Sequence, residues 1–149
     1  MLGLDFALIH KGRRRLEKSP PNRTPSVRNT HNDLMLVGDV RGKPAILIDD
    51  IADTSHTITR AANMLHQHGS TRIYALVTHA ILSGDAVARI KASKIDELIV
   101  SNSIPQEDHV RQLAGRCKVF DIAPIFAEAV RRIHNGESVS YLFDTDMLI

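Results

Sequence analysis

Residues 45–57 read Ala-Ile-Leu-Ile-Asp-Asp-Ile-Ala-Asp-Thr-Ser-His-Thr, and the change of pattern inside this stretch indicates a strand, a loop and then a helix. The first four residues are apolar and include two isoleucines, which is typical of a buried strand. A short loop of small hydroxyl residues then leads to Thr57, where the apolar spacing becomes helical. The helical stripe is formed by Ile58, Ala61, Ala62 and Leu65. Gly69 is expected to end this helix, because glycine adopts a left-handed cap without strain.

The alternation of strands and helices continues on both sides of residues 45–57. Short apolar runs predict further strands at 6–9, 34–40, 73–78, 97–101 and 119–122. Helical spacing predicts helices over 85–91 and 122–133. Ser83 is expected to cap the first of these two helices. The turn residues 42–44 predict a hairpin between 34–40 and 45–49. An order of this kind predicts an α/β domain with a mainly parallel sheet flanked by helices.

Length and composition limit the classes of protein that fit. The chain has 149 residues, of which 43% are hydrophobic and 24% charged, as expected of one globular, soluble domain. The apolar runs are too short to cross a membrane, and we expect no signal peptide and a cytoplasmic location. A single cysteine, Cys117, excludes an internal disulfide and a multi-cysteine zinc site, and we expect its thiol to be buried and idle.

A basic segment separates the first strand from the rest of the chain. Residues 12–33 contain three prolines and no apolar periodicity, which predicts a long mobile loop. Between Lys11 and Arg28 there are seven lysines or arginines and one acid, Glu17. The net charge of the whole chain is only +2, so its overall electrostatics does not favour a nucleic-acid partner.

The end of the strand at 45–49 is the best candidate for a binding site. Ligands of open α/β sheets bind beyond the carboxyl ends of the strands, and a helix that begins there offers unpaired N–H groups to a phosphate. The loop adds hydroxyl donors from Thr54, Ser55 and Thr57. Asp49 and Asp50 would repel a phosphate, so they should face sugar hydroxyls or magnesium. Together these groups suit a phosphorylated sugar, although helix capping and turn formation explain the same residues equally well on spacing alone.

Several segments, taken together, resemble one enzyme family. Residues 45–57 look like the ribose-phosphate-binding signature of the phosphoribosyltransferase-like fold, and in particular of the ribose-phosphate pyrophosphokinases (phosphoribosyl pyrophosphate synthetases). Segments in the same order that resemble this family are 5–11, 37–40, 78–79, 102–107 and 127–143. The resemblance covers nearly the whole chain except the loop at about 12–33. It identifies residues 1–149 as the carboxy-terminal phosphoribosyltransferase-like domain of such a synthetase, with a flexible basic insert at about 12–33.

The resemblance implies a fold, a reaction and a set of site residues. The fold is phosphoribosyltransferase-like (type I), incomplete at its amino-terminal end. The reaction transfers the diphosphate of MgATP to ribose 5-phosphate, giving phosphoribosyl pyrophosphate and AMP for nucleotide biosynthesis. Asp49 and Asp50 would hold ribose hydroxyls or their magnesium, and Lys11 and Arg13 match the catalytic loop cations that close over the diphosphate. The 5-phosphate would be held by Asp53, Thr54, Ser55 and Thr57.

Two departures from the family pattern bear on activity. The family's phosphate loop has a glycine where this chain has His56, so an imidazole joins the substrate-binding residues and either narrows the pocket or contributes its charge. The family's amino-terminal half, which supplies much of the ATP site, is not represented in these residues. We therefore expect the 149-residue chain alone to be inactive.

The resemblance also implies partners. The family assembles into homo- or hetero-oligomers of homologous synthetase subunits, and its tail lies near a regulatory site, so Ser138 and Ser140 are candidate regulatory contacts. His79 ends a strand and is a candidate site-lining residue. Two other roles stay open: a non-catalytic regulatory or scaffold subunit, and a phosphoribosyltransferase that uses the ready-made diphosphate, which fits the loop but not the tail. Neither nucleic acid nor a membrane is expected as a partner.

Overall fold

The computed structural model describes residues 4–11 and 34–144, which form six strands and five helices. The predicted mobile loop at 12–33 lies outside these residues. In chain order the elements are β1 (Leu8–Lys11), β2 (Leu34–Val37), β3 (Pro44–Ala52), α1 (His56–Gln67), β4 (Arg72–Ala80), α2 (Ala86–Ala92), β5 (Glu97–Ser101), α3 (Glu107–Leu113), β6 (Cys117–Phe120), α4 (Ala123–His134) and α5 (Tyr141–Asp144).

The main sheet has four parallel strands in the order β3-β4-β5-β6. Each consecutive pair is connected through a helix, α1, α2 or α3, as a parallel connection requires. All four carboxyl ends therefore lie at one edge, where the site was expected. The α/β fold with a mainly parallel sheet is confirmed.

The core lies on the face of the sheet that α1 and α2 cover. One row across this face consists of Leu47, Ala75, Leu98 and Cys117, which occupy matching register positions. The core cluster also includes Ile58 and Leu65 from α1 and Ile90 from α2. Cys117 is buried as expected, and its burial raises the pKa of the thiol, which makes it a poor nucleophile at neutral pH.

The predicted hairpin between 34–40 and 45–49 is wrong. β2 instead pairs antiparallel with β1, with Leu8 opposite Val37, while β3 pairs parallel with β4. The reason lies in the turn before β3. The carbonyl oxygen of Lys43 accepts hydrogen bonds from the Thr71 amide at 3.0 Å and the Ser70 hydroxyl at 2.9 Å, which fixes the start of β3 beside the start of β4.

The helices differ from the sequence prediction in two places. α3 was not predicted, because it buries only Leu113 and so has little apolar periodicity. The expected cap of α2 by Ser83 is also wrong: the N-cap of α2 is Asp85, without a side-chain hydrogen bond, and the Ser83 hydroxyl donates elsewhere. Among the described residues, no helix is long and apolar enough to cross a membrane.

Candidate functional site

The candidate site begins where β3 ends and α1 starts. Ser55 precedes the first helical residue and adopts a left-handed backbone with φ 60°, which is unusual for a residue other than glycine. Its side chain makes no capping hydrogen bond. Ser55 is only 4% exposed, and its Oγ has no hydrogen-bond partner in the described part of the chain. A buried hydroxyl without a partner is costly, which points to a ligand that would supply one.

A cavity of about 300 Å³ lies at this junction. It is lined by Asp49, Ile51, Ala52, Asp53, Thr54, Ser55, His56, Thr57 and Ile58. The structure therefore brings together six of the seven residues that were expected to bind the sugar phosphate. The seventh, Asp50, follows Asp49 on β3 and is exposed outside the cavity lining.

The cavity receives the positive end of α1. The first amides of a helix have no partner within it, and the helix dipole favours an anion there. The first turn of α1 contains no acidic residue that would neutralise this end. The first hydrogen bond of the helix runs from the Thr59 amide to the Ser55 carbonyl at 3.2 Å. The amides before Thr59 are thus available to a phosphate oxygen.

Side chains from α2 and from the turn before it contact the loop between β3 and α1. The Asp53 carboxylate accepts a hydrogen bond from the Ser83 hydroxyl, and the Thr54 carbonyl accepts one from the Arg89 guanidinium. Ser83 and Arg89 were missed by the sequence analysis, because they lie 30 and 35 residues beyond their partners and belong to no local motif. They hold the loop in place from the outside.

Asp49 and Asp50 form the carboxylate pair at the end of β3. Each accepts a hydrogen bond from the amide that follows it, at 3.1 Å for Asp49 and 2.8 Å for Asp50. Burial raises the pKa of Asp49, and a hydrogen bond with Asp50 raises it further. In residues 4–11 and 34–144, no group of three or more histidine, cysteine or acidic side chains could hold a metal. Two carboxylates still fit magnesium, which commonly takes one or two protein oxygens and completes its shell with water and substrate.

The remaining predicted residues lie elsewhere. His79, at the carboxyl end of β4, does not line the cavity; its Nδ1 lies 2.9 Å from the Ser103 hydroxyl. Lys11 is the last residue of β1, and Arg13 lies outside the described residues. Ser138 and Ser140 follow α4, and the Ser140 amide donates to Ser138 Oγ at 3.2 Å.

The segment around Ser138 and Ser140 is held by a charged cluster. Arg131 and Arg132 of α4 each contact both Glu128 and Glu137, with the closest distances at 2.8 Å. The Arg132 guanidinium also lies 4.3 Å from the centroid of the Tyr141 ring. These contacts order the tail, but they leave its predicted regulatory role untested.

A second cavity, of about 460 Å³, lies at the opposite edge of the sheet. Two of its charged side chains already have partners within the protein: the Arg116 guanidinium donates to the carbonyls of Lys91 and Ile95, and Asp96 accepts the Ile73 amide at 2.7 Å. The carboxyl ends of α1 and α2 also lie nearby, and their dipoles disfavour an anion. The cavity at the start of α1 is therefore the better candidate.

Comparison with known proteins bears on the family and the fold. A family model described as the phosphoribosyl synthetase-associated domain matches residues 13–144. Ribose-phosphate pyrophosphokinase 5 of Schizosaccharomyces pombe (strain 972 / ATCC 24843) is 53% identical over 143 residues, which are 96% of this chain and 37% of that protein. The crystal structure of phosphoribosylpyrophosphate synthetase from Mycobacterium smegmatis matches with a TM-score of 0.64 and 35% identity, over 70% of this chain and 34% of that one.

These matches confirm the predicted family resemblance and the type I phosphoribosyltransferase-like fold. The chain spans little more than a third of the length of these two relatives. The family model covers most of the chain, including all of β3, the loop and α1. We conclude that this chain belongs to the phosphoribosyl synthetase-associated domain family and has the fold of the phosphoribosyl pyrophosphate synthetases.

Proposed function

We propose that this chain supplies the sugar-phosphate half of a ribose-phosphate pyrophosphokinase, in which the diphosphate of MgATP is transferred to ribose 5-phosphate. The observation that carries the proposal is the buried Ser55 hydroxyl without a partner, in a cavity at the uncapped amino terminus of α1. A phosphate oxygen would accept hydrogen bonds from this hydroxyl and from the first amides of the helix. We also propose that the protein is located in the cytoplasm.

The carboxylates give the site its preference for a sugar. With the 5-phosphate at Ser55 and Thr57, Asp49 lies on the same cavity wall, where it would accept hydrogen bonds from ribose hydroxyls. Asp49 and Asp50 are also the side chains that would hold magnesium. Magnesium, when bound, would neutralise charge on the transferring diphosphate. Burial raises the pKa of Asp49, so the ionised form that these roles need is lost at a higher pH than for an ordinary carboxyl group.

Lys11 and Arg13 complete the proposal as loop cations. Phosphoryl transfer depends mainly on positioning and charge neutralisation, which a lysine and an arginine over the diphosphate would both provide. Lys11 is the last residue of β1, and pairing with Leu34 of β2 fixes the position of its backbone. Ser138 and Ser140 are proposed as regulatory contacts in the tail. ATP, ribose 5-phosphate and homologous synthetase subunits are the proposed partners.

The first experiment tests the phosphate site. Titration with inorganic phosphate or ribose 5-phosphate should shift the amide resonances of residues 53–57 before all others. Ser55→Ala should weaken this binding about tenfold or more, since a hydrogen bond to a charged group contributes about 1.5–3 kcal/mol. Ser93→Ala is the matched control, because this serine lies at the opposite edge of the sheet and should leave affinity unchanged. Shifts that centre elsewhere would contradict the assignment.

A non-catalytic, synthetase-associated subunit is the second candidate. Two observations favour it: His56 replaces the glycine of the family's loop, and the matching family model describes an associated domain. The purified chain alone should release no AMP from MgATP and ribose 5-phosphate under either proposal. The two proposals predict different results when the chain is assembled with a catalytic synthetase subunit. Asp49→Asn should abolish the contribution of an active half, whereas it should leave a purely associated role intact.

A further inference from the structure

His56 is the only ionisable base among the residues that line the cavity at the start of α1. It is the first residue of the helix, it is exposed, and it directly follows the buried Ser55 hydroxyl. A neutral imidazole in this place adds a hydrogen-bonding ring to the site. A protonated one adds a full positive charge at the end of the helix that already favours an anion.

The charged groups around His56 make its protonation consequential. From β3 and the loop, the cavity receives the carboxylates of Asp49 and Asp53, which oppose an anion. From α2, Arg89 is already engaged with the Thr54 carbonyl. From α1 itself, Arg60 lies one turn after His56 and has interactions of its own. Among the side chains that line the cavity, only the imidazole of His56 can carry a positive charge.

We infer that His56 makes this site a pH-dependent oxyanion site, which holds a tetrahedral dianion such as a phosphate monoester more tightly when the imidazole is protonated. The inference rests on the proposed phosphate site. It adds a dependence of anion affinity on pH, which the glycine of the family's loop cannot provide. Because coupling between two sites is reciprocal, the bound dianion should favour the protonated imidazole over the neutral one by the same factor by which protonation tightens binding.

Sulfate is the sharpest probe, because it keeps two negative charges from pH 5.5 to 8.5, whereas phosphate itself titrates in this range. Sulfate affinity is measured from the amide shifts of residues 53–57 at constant ionic strength. We expect the affinity of the unaltered chain to fall about five- to tenfold from pH 5.5 to pH 8, because histidine side chains in general lose their positive charge as the pH rises through this interval. His56→Gln should show no such dependence and should bind at the level of the unaltered chain at pH 8.

His66→Gln is the matched control, because His66 is an exposed histidine at the other end of α1 and should leave the pH dependence intact. The imidazole resonances of the unaltered chain give a second measurement, which needs no variant: sulfate should move the resonances of His56 towards those of a protonated imidazole and should leave the other histidines unchanged. Sulfate shifts at 53–57 that are equal at pH 5.5 and pH 8 would overturn the inference and leave the phosphate site standing. Shifts centred elsewhere at both pH values would overturn the phosphate site as well.

Discussion

Helices α1 and α4 have the same length and the same kind of apolar stripe, yet the protein uses them differently. Each has twelve residues. α1 buries five of its residues, including Ile58 and Leu65, whereas α4 buries none. Along the stripe of α4, Phe126 is 61% exposed and Ile133 is 69% exposed. An amphipathic pattern therefore predicts a helix and the face that favours burial, but not whether a surface is available to cover it.

The position of each helix in the chain explains the difference. α1 connects two neighbouring parallel strands, β3 and β4, and a connection of this kind lies against the sheet. α4 follows β6, the last strand at the edge, and no described strand comes after it. The sheet shows the same contrast, because the row of Leu47 is covered while Ile48 on the opposite face is 78% exposed. Parallel sheets are normally covered on both faces.

The amino-terminal ends of α1 and α4 also differ, in whether side chains of the protein accept hydrogen bonds from their amides. At the start of α4, the Asp121 carboxylate accepts the Ala123 amide at 2.9 Å, and Asn102 accepts the Ile122 amide at 3.0 Å. At the start of α1, no side chain caps the helix, and the neighbouring Ser55 hydroxyl has no partner among the described residues. The helix that is central to the fold thus keeps its positive end open to a ligand. In the peripheral helix, the first helical amide is already occupied by the Asp121 carboxylate.

The largest expected effect compares matched truncations in the two stripes. Leu65→Ala removes a side chain that is 3% exposed and should lower the free energy of unfolding by about 2–4 kcal/mol, because it leaves a cavity in the core. Ile133→Ala should change it by less than about 0.5 kcal/mol, as is usual at exposed positions. Urea denaturation of both variants measures this difference. Equal losses would show that α4 is packed as firmly as α1.

The next largest effect is that of Ser55→Ala, which should raise the free energy of unfolding but lower the affinity for phosphate. Ser55→Ala removes a buried hydroxyl without a partner, and leaving such a group unpaired costs about 1–3 kcal/mol, so the variant should unfold at higher urea concentration. The same variant should bind phosphate less tightly. Denaturation with and without phosphate measures both quantities. A variant that is less stable without ligand would mean that Ser55 Oγ has a partner in solution.

The strand, the loop and α1 could be predicted from the sequence because their signals are local. The apolar run at 45–48, the hydroxyl residues and the helical stripe each lie within one element, and the structure places them as predicted. Asp49, Asp53 and Ser55 could be chosen from the sequence as candidate site residues for the same reason, and they line one cavity. What the local signal did not contain was the left-handed backbone of Ser55, which leaves its hydroxyl buried.

The features that could not be predicted depend on distant pairs. The turn at 42–44 shows where the chain changes direction but not which strand lies beside β3, and that choice is made by Ser70 and Thr71. Ser83, in the turn before α2, and Arg89 of α2 contact the loop between β3 and α1, and no local motif indicates either contact. The exposure of α4 likewise depends on the rest of the sheet rather than on the helix.

The glycines that follow the two helices allow a smaller comparison. Gly69 has φ +88°, and an added Cβ would lie 3.3 Å from Arg41 Cγ, while Gly136 has φ +68° and open space around it. Gly69→Ala should lower the free energy of unfolding by about 1–2 kcal/mol, because a left-handed backbone strains an alanine. Gly136→Ala carries a similar strain, but α4 buries no residue. We therefore expect faster amide exchange at the end of α4 with an unchanged urea midpoint.

The smallest effect concerns two carboxyl groups whose pKa values move in opposite directions. On the covered side, burial raises the pKa of Asp49, so the folded chain loses part of a desolvation cost as the pH falls through that raised value. On α4, hydrogen bonds from Arg131 and then Arg132 lower the pKa of Glu128 from 4.5 to about 2. The contribution of Glu128 to the stability of the folded chain is therefore complete above pH 4.5 and is lost as the pH falls towards 2.

Carboxyl carbon resonances followed from pH 7 to pH 2 measure both groups in one sample. Asp49 should titrate above the usual aspartate range and Glu128 well below the usual glutamate range. Because α4 buries no residue, protonation of Glu128 should speed amide exchange at Glu137, whose amide donates to the Arg132 carbonyl at 2.8 Å, without unfolding the sheet. Glu128→Gln should reproduce this loosening at pH 7, and Glu107→Gln, an exposed acid in the first turn of α3, should not. A Glu128 midpoint near 4.5 would show that the arginine cluster does not persist in solution, and the carboxyl-terminal end of α4 would then lack the ion pairs that hold it to the residues that follow.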